Sequence, residues 1–212
     1  MSSYKNFCDS NEIKYFKNIY SFHAFKLSQL LGESFLDFGC GRFQFSTRMA
    51  INNPNLSVTV FDTNLDELKE GIKYTGFRWF QSYKDKIKPI TVVSDFNKIS
   101  NKVFDTIAMN FVLLASKTPV IPVLHDLVSP NGYVGILDYD FTNSSFDEFR
   151  EVFTCDEERK AISRFNSVEE TFQHYSSRGL VECKNEAEEV GFKTIYSSKF
   201  DKRYFFWIGQ KL

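Results

Sequence analysis

Glycine and proline are scarce in this chain, 10 and 5 among 212 residues, where shares of about 7% and 5% are usual. Low-complexity and collagen-like architectures are thereby excluded, and the few glycines present must serve particular turns. The four cysteines, Cys8, Cys40, Cys155 and Cys183, stand far apart with no CxxC or metal-finger spacing. That excludes a disulfide framework and leaves reduced thiols, with no metal site, as the expectation. No run approaches the roughly 18 uninterrupted apolar residues of a membrane span, and residues 1–20 carry lysines and asparagines between aromatics, which is no signal peptide. The expected location is the cytoplasm. Charge of one sign is lacking too: 26 basic residues face 27 acidic ones, so there is no excess field to hold a phosphate backbone or an anionic membrane. Neither nucleic acid nor membrane is expected as a partner.

What the chain has in excess is phenylalanine, 24 residues, within a 42% hydrophobic composition sufficient for one well-buried core. A single domain over residues 1–212 is expected. Strand-like and helix-like runs alternate, the pattern of an α/β fold with a parallel sheet. The strands read as Ser34 to Phe38, Ser57 to Asp62, Pro89 to Val93, Val103 to Met109 and Tyr133 to Asp138. Between them, Phe45 and Met49 mark a short helix. Asn64 reads as the N-cap of the next, with Glu67 at the reciprocal capping position and Leu65, Leu68 and Ile72 on one face. Thr118-Pro119 opens a further helix whose stripe is Val120, Val123, Leu124, Leu127 and Val128, ended by Pro130-Asn131-Gly132. From 141 to 190 the alternation lapses into a charged, aromatic, helical insert, with Phe146, Phe149 and Phe153 at helical spacing as packing residues. A last helix ends at Gly191. Phe192 to Tyr196 and Tyr204 to Ile208 then read as two strands joined by polar Ser197-Ser198-Lys199, too short for a helical crossover and so antiparallel.

Polar groups gather at the carboxyl ends of the strands, where open α/β sheets bind ligands. The first strand runs into Gly39-Cys40-Gly41, a loop in which a cofactor can approach the backbone closely. Asp62 ends the second strand, where a carboxylate can accept from both ribose hydroxyls. Asp95 and Phe96 follow the third, placed to read the edge and face of an adenine. Asn110 closes the fourth. Asp62 and Asp95 have a second reading as helix caps.

Phe35-Leu36-Asp37-Phe38-Gly39-Cys40-Gly41 resembles the first motif of the class I S-adenosylmethionine-dependent methyltransferases, within their small-molecule, type 11-like branch. Phe104 to Asn110 is similar to the fourth motif, Leu127 to Tyr133 to the fifth, and Glu188 to Phe192 to the end of the last helix. The resemblance spans about Phe35 to the C-terminus. It implies a doubly wound, seven-stranded, Rossmann-like sheet with an antiparallel last strand, and S-adenosylmethionine as cofactor. It places Asp37, Phe38, Gly39, Cys40 and Gly41 around the methionine moiety, Asp62 on the ribose, Thr63 and Asn64 beside the adenosine, and Asp95 and Phe96 on the adenine. Asn110 joins that set. Residues 1–31 would form a helical lid carrying Tyr20 towards the cofactor carboxylate, and 141–190 would build the acceptor pocket. His23, His174 and Asp140 are the candidate general bases. The implied reaction is in-line methyl transfer to a small acceptor, apolar or aromatic in part, by a monomer or homodimer.

Two departures stand out. Phe43 occupies the position of the family's third glycine, where it is expected to crowd the cofactor or turn the loop differently. The Asn/Asp-Pro-Pro-aromatic signature of enzymes methylating exocyclic amines in nucleic acids is replaced by Asn110-Phe111-Val112-Leu113. A non-catalytic, methyltransferase-like binding protein is the alternative that Phe43 raises. A nicotinamide-dependent oxidoreductase shares the strand, glycine loop and distant acid, but Gln44 stands where its third glycine belongs and Asp95 speaks against it.

Overall fold

The computed structural model describes residues 21–75, 81–152, 165, 167–200 and 203–212. Apolar side chains alternate along its strands so that each face of the sheet acquires its own core. Seven strands, β1 (Ser34–Phe38), β2 (Ser57–Phe61), β3 (Thr91–Val93), β4 (Phe104–Asn110), β5 (Val128–Tyr139), β6 (Phe192–Phe200) and β7 (Tyr204–Lys211), lie in the order β3-β2-β1-β4-β5-β7-β6. The first five pair in parallel; β7 runs antiparallel to both β5 and β6. Described helices are α1 (residues 21–28), α2 (Gln44–Asn52), α3 (Leu65–Thr75), α4 (Ile121–Leu127), α5 (Phe146–Val152), α6 (Val168–Ser176) and α7 (Leu180–Glu189). Phe35, Val58, Val60, Ala108, Phe206 and Ile208 turn to one face and pack with Leu27, Phe45, Met49 and Leu68 of α1, α2 and α3. Leu36, Ile107, Met109, Val134, Ile136, Phe205 and Trp207 turn to the other, with α4 and α7. This is the doubly wound, seven-stranded fold that the alternation and the motifs imply. Among the described residues no helix is long and apolar enough to cross a membrane.

Several local readings are corrected. Ser197, Ser198 and Lys199 are not a connection but strand, paired with Trp207, Phe206 and Phe205; β6 is an edge strand, half exposed, and tolerates polar residues for that reason. The helix after β4 begins beyond Pro119, with Val120 at its N-cap and Pro122 in its first turn. It stops at Leu127, and Val128 already pairs with Phe104, so Pro130-Asn131-Gly132 loops out within β5, with Asn131 at φ 64°. On α3, Leu68 is buried, but Leu65 and Ile72 are more than half exposed. Asn64 does cap α3, its Oδ1 accepting from the N–H groups of Asp66 and Glu67. The expected reciprocal bond from Glu67 is replaced: Asn64 N–H goes to Asp62 Oδ1 at 2.8 Å, and Glu67 instead pairs with Arg42 at 2.8 Å.

The region 141–190 holds two kinds of structure. α7 belongs to the main sheet, packing on β6, β7 and α4. α5 and α6 form a small aromatic core of their own, in which Phe141, Phe149 and Tyr175 surround Leu114 from the segment after β4. Phe149 is thus a packing residue, as its spacing predicts; Phe153 lies outside the described residues.

Phe43 adopts the left-handed backbone that favours glycine, at φ 41° and ψ 36°. A left-handed non-glycine residue costs about 1–2 kcal/mol. Its ring is 1% exposed in the core beneath α2 and α3, and burying a phenylalanine returns about 1.5–3 kcal/mol, so packing offsets the strain. The ring is part of that core and is not among the residues that line the cleft described below. It lies where a side chain at Gly71 would be: a Cβ on Gly71 would overlap Phe43 Cε1 and sit 2.6 Å from Cδ1. Gly71→Ala is therefore expected to destabilise the protein by about 1–3 kcal/mol. Urea unfolding should show the loss, and Phe43→Leu in the same chain should recover part of it.

Candidate functional site

A cleft of about 700 Å³ opens at the carboxyl ends of β1, β2, β3 and β4, within the size range of small-molecule sites. Gly39 brings the glycine loop to its wall, and the loop's shape follows from where its N–H groups go. Gly39 and Cys40 both donate to the carbonyl of Phe61, at 2.8 and 3.0 Å, and Gly41 donates to Asp62 Oδ2 at 2.8 Å. Turning those three groups towards β2 requires left-handed backbone at Gly39 and Gly41, φ 73° and 52°.

Of the residues expected around a cofactor, Phe38, Gly39, Asp62, Thr63, Asn64 and Phe96 line this cleft. Asp62, which lines the cleft, accepts one N–H on each carboxylate oxygen, and so uses two of about four lone-pair sites. Asp95 caps the 3-10 turn Phe96–Lys98 through the N–H of Asn97 at 3.0 Å and is no part of the lining, which realises its capping role. Phe96 meets Phe61 edge to face at 5.9 Å. Cys40 and Gly41 lie in the loop behind the lining; burial pushes the Cys40 thiol far up and keeps it protonated. Tyr20 lies outside the described residues. Phe61, Glu67, Phe111, Val112 and six residues of the next segment, Ala115, Ser116, Thr118, Pro119, Val120 and Val123, complete the walls. The position of Phe61 beside Asp62, and the rule that ligands sit at strand ends, were signals for the first; Val120 and Val123 read in sequence only as helix core.

Behind the lining lies a buried polar group. Ser46 Oγ donates to Asp37 Oδ2, and His23 Nδ1 pairs with Asn110 Oδ1 at 2.7 Å. Asp37 Oδ1, Asn110 Nδ2 and His23 Nε2 are buried and make no hydrogen bond of full geometry, although the Asn110 amide acts on the Asp37 carboxylate and stabilises its charged form. Burial pushes Asp37 up to about 7 against the pull of Ser46, with the charge of Asp62 adding to the rise. Burial likewise drives His23 down to about 3, against the bond to Asn110. His23 is packed between Phe45 and Phe206, at 4.9 and 4.7 Å.

The remaining candidate bases are elsewhere. Asp140 is bound by Lys199 at 2.6 Å, by Thr142 Oγ1 at 2.6 Å and by Leu180 N–H at 3.2 Å. Burial favours its acid form, but these donors prevail and hold it below the usual carboxylate range. His174 rests against Phe165 at 4.6 Å, whose ring also carries Lys117 Nζ at 4.9 Å. None of His23, Asp140 and His174 lines the cleft. Asp138, two residues before Asp140, organises the site indirectly: its Oδ2 accepts the N–H groups of Leu113 and Leu114 at 2.8 and 3.4 Å, pinning the segment that carries Phe111 and Val112. Burial raises Asp138 to about 7 against these bonds. Among the described residues no group of three or more His, Cys, Asp or Glu could hold a metal ion.

No protein-family model and no curated protein matches this sequence. Solved structures do match its fold. The fold is that of the class I S-adenosylmethionine-dependent methyltransferases. In particular the chain is similar to the plantazolicin methyltransferase BpumL in complex with SAH, at TM-score 0.65 and 16% identity over 98% of this chain and 88% of that one. It is similar to the magnesium protoporphyrin IX methyltransferase ChlM of Synechocystis PCC 6803 with bound SAH, at TM-score 0.63 and 13% identity over 94% and 84%. The N-methyltransferase NodS of Bradyrhizobium japonicum WM9 matches at TM-score 0.59 and 13% identity over 96% and 98%.

The buried groups give the stability a signed pH dependence. Asp37 and Asp138, raised to about 7 from an ordinary 3.8, contribute stability that is full below pH 3.8 and lost as pH rises through 7. His23, lowered from 6.5 to about 3, contributes stability present above pH 6.5 and lost as pH falls through 3. The two slopes oppose each other between about pH 4 and 6.5. In thermal melts across that window His23→Gln should make stability fall more steeply with rising pH, and Asp138→Asn should flatten or reverse the slope.

Proposed function

We propose that this chain is an S-adenosylmethionine-dependent methyltransferase acting on a small-molecule acceptor. The observation that carries the proposal is the donor and acceptor balance of the cleft. The lining presents the carboxylates of Asp62 and Glu67, several hydroxyl and amide groups and apolar walls, with no lysine or arginine among the described lining residues. The N–H groups of Gly39, Cys40 and Gly41 are donated to Phe61 and Asp62 and so are not aimed at an anion. A dinucleotide's pyrophosphate needs such groups at a helix start, which weighs against the nicotinamide-dependent reading. An uncharged ribose diol suits the spare acceptor sites of Asp62, and Phe61, Phe96, Val120 and Val123 suit a planar base. The incompletely bonded Asp37 Oδ1 and Asn110 Nδ2 suit the ammonium and carboxylate of a methionine moiety, since buried groups short of a hydrogen bond gain most from a ligand that satisfies them.

Bound there, S-adenosylmethionine supplies a methyl group on a sulfonium sulfur, open to in-line displacement. The part of the chain is positional: it holds the acceptor's lone pair in line and excludes water, an effect that by itself can supply about 7–11 kcal/mol. His23 acts in this reading as a neutral partner of Asn110, and Asp140 as a structural anion between Lys199 and Leu180. Phe111, with Tyr139 at 4.9 Å and Tyr204 at 6.1 Å, bounds the acceptor side with aromatic surface, consistent with an acceptor that is aromatic or apolar in part. The fold's similarity to enzymes named for plantazolicin and magnesium protoporphyrin IX supports a small acceptor over a nucleic acid.

Calorimetric titration with S-adenosylmethionine, S-adenosylhomocysteine and NAD tests the reading. We expect the first two to bind, NAD not to, and Asp62→Ala to weaken S-adenosylhomocysteine by about tenfold or more, as loss of charge-assisted hydrogen bonds does. Binding of NAD alone, or of none of the three, would overturn it; binding without turnover of any acceptor would make the chain a binding protein.

A further inference from the structure

Asp62 belongs to a closed circuit of contacts between the glycine loop and the first turn of α3. Gly41 N–H donates to Asp62 Oδ2 and Asn64 N–H to Asp62 Oδ1, both at 2.8 Å. Asn64 Oδ1 accepts from Glu67 N–H at 3.3 Å, and Glu67 Oε2 accepts from Arg42 Nε at 2.8 Å. Arg42 follows Gly41 in the chain, so the circuit closes on itself. Of these four links the last is the one made by two side chains, and it joins residues 25 apart. One turn further along α3 the loop and the helix meet by packing. A Cβ on Gly71 would lie 2.6 Å from Phe43 Cδ1 and 2.8 Å from the Arg42 carbonyl oxygen, and Leu68 is buried in the same core as Phe43. That packing holds the body of α3; the bearing of its first turn, where Asn64 and Asp62 attach, is left to Arg42 and Glu67. Glu70, the next acid on the helix, is taken chiefly by Lys73 and only secondarily feels Arg42. Asp62, Asn64 and Glu67 all line the cleft. The Arg42 and Glu67 side chains are 28% and 38% exposed, so their attraction is moderate and open to screening by salt.

We infer that Arg42 and Glu67 are positioning residues: their ion pair sets the first turn of α3 against the glycine loop and thereby fixes the aim of the two Asp62 oxygens. The ligand feature this governs is a ribose diol, because two neighbouring hydroxyl groups must both find acceptors on one carboxylate. Without the pair, Gly41 and Asn64 shift relative to each other. A carboxylate that follows either of them loses the geometry for the second hydroxyl. The property under control is therefore the preference for ribose over 2′-deoxyribose, and both residues act on it through Asp62. The inference rests on the nucleoside reading of the cleft.

The test is calorimetric titration of adenosine and 2′-deoxyadenosine into the wild-type chain, Arg42→Gln, Glu67→Gln, the double variant carrying both, and Arg42→Lys. The wild type should prefer adenosine by about tenfold. Each single glutamine variant should lower that preference about threefold to fivefold, and the double variant no further, because the same pair is lost only once. Arg42→Lys keeps the charge and should stay within about 1.5-fold of the wild type. Raising sodium chloride to about 0.5 M should bring the wild-type preference down towards that of the glutamine variants and leave theirs unchanged. A preference unchanged in Arg42→Gln overturns the inference, whatever happens to the melting temperature, since a merely structural pair would move only the latter. Additive losses in the double variant, or a loss in Arg42→Lys equal to that in Arg42→Gln, overturn it as well. All three results leave the nucleoside reading intact. A wild-type chain that binds neither nucleoside, or binds both alike, overturns the reading of Asp62 as the ribose carboxylate and this inference with it. Circular dichroism shows whether the glutamine variants fold; if they do not, the salt series on the wild type decides, and a flat preference overturns the inference.

Discussion

The donation of three successive N–H groups, from Gly39, Cys40 and Gly41, to the end of β2 is the constraint on which the rest of the site depends. It bends the chain sharply after β1, and only glycine accepts the left-handed geometry at Gly39 with Val112 packed upon it. It fixes the Asp62 carboxylate, whose second oxygen then starts α3 through Asn64. It also decides what the loop can bind. Glycine loops that aim free N–H groups at a ligand hold phosphate; this one uses those groups internally, and the charged group it leaves at the cleft is the Asp62 carboxylate, an acceptor.

Buried and half-buried carboxylates carry much of the order at both ends of the sheet. Asp105, at the start of β4, accepts from Ser34 Oγ and from the N–H groups of Glu33 and Ser34, joining the beginnings of two neighbouring strands. Asp138 does the same for the segment after β4, and Asp140 gathers Lys199, Thr142 and the start of α7. Each is satisfied by donors, mostly backbone N–H groups, as a buried charge must be. Asp37 differs, with one oxygen bonded to Ser46. The satisfied acids hold backbone in place, whereas Asp37 leaves one buried oxygen without a full hydrogen bond.

The elements that could be read from sequence were those in which local and global preferences agree. The five parallel strands, the Asn64 cap and the turn at Gly191, where φ is 102°, lie where periodicity and turn chemistry place them. Readings failed where tertiary context overrode a local signal. Ser197 to Lys199 look like a turn, yet β7 offers them a complete set of partners. Leu65 and Ile72 look like core, yet α3 contacts the protein chiefly through Leu68 and Gly71. Val120 and Val123 obey a helical period equally well as core and as the wall of a cleft; periodicity says which face they share and not what lies opposite.

The sequence by itself determined the α/β class, the alternation of strands with helices and the placing of polar residues at strand ends, because these depend on patterns a few residues long. Only the tertiary structure decided the meaning of Phe43. At its position a side chain can point into the ligand or into the core, and the choice rests with Gly71, 28 residues away, which leaves room for the ring beneath α3. It likewise decided that His23, Asp140 and His174 stand outside the cleft and that Val112 covers Gly39. Contacts between residues far apart in the chain depend on how the layers pack, and packing is a property of the whole fold.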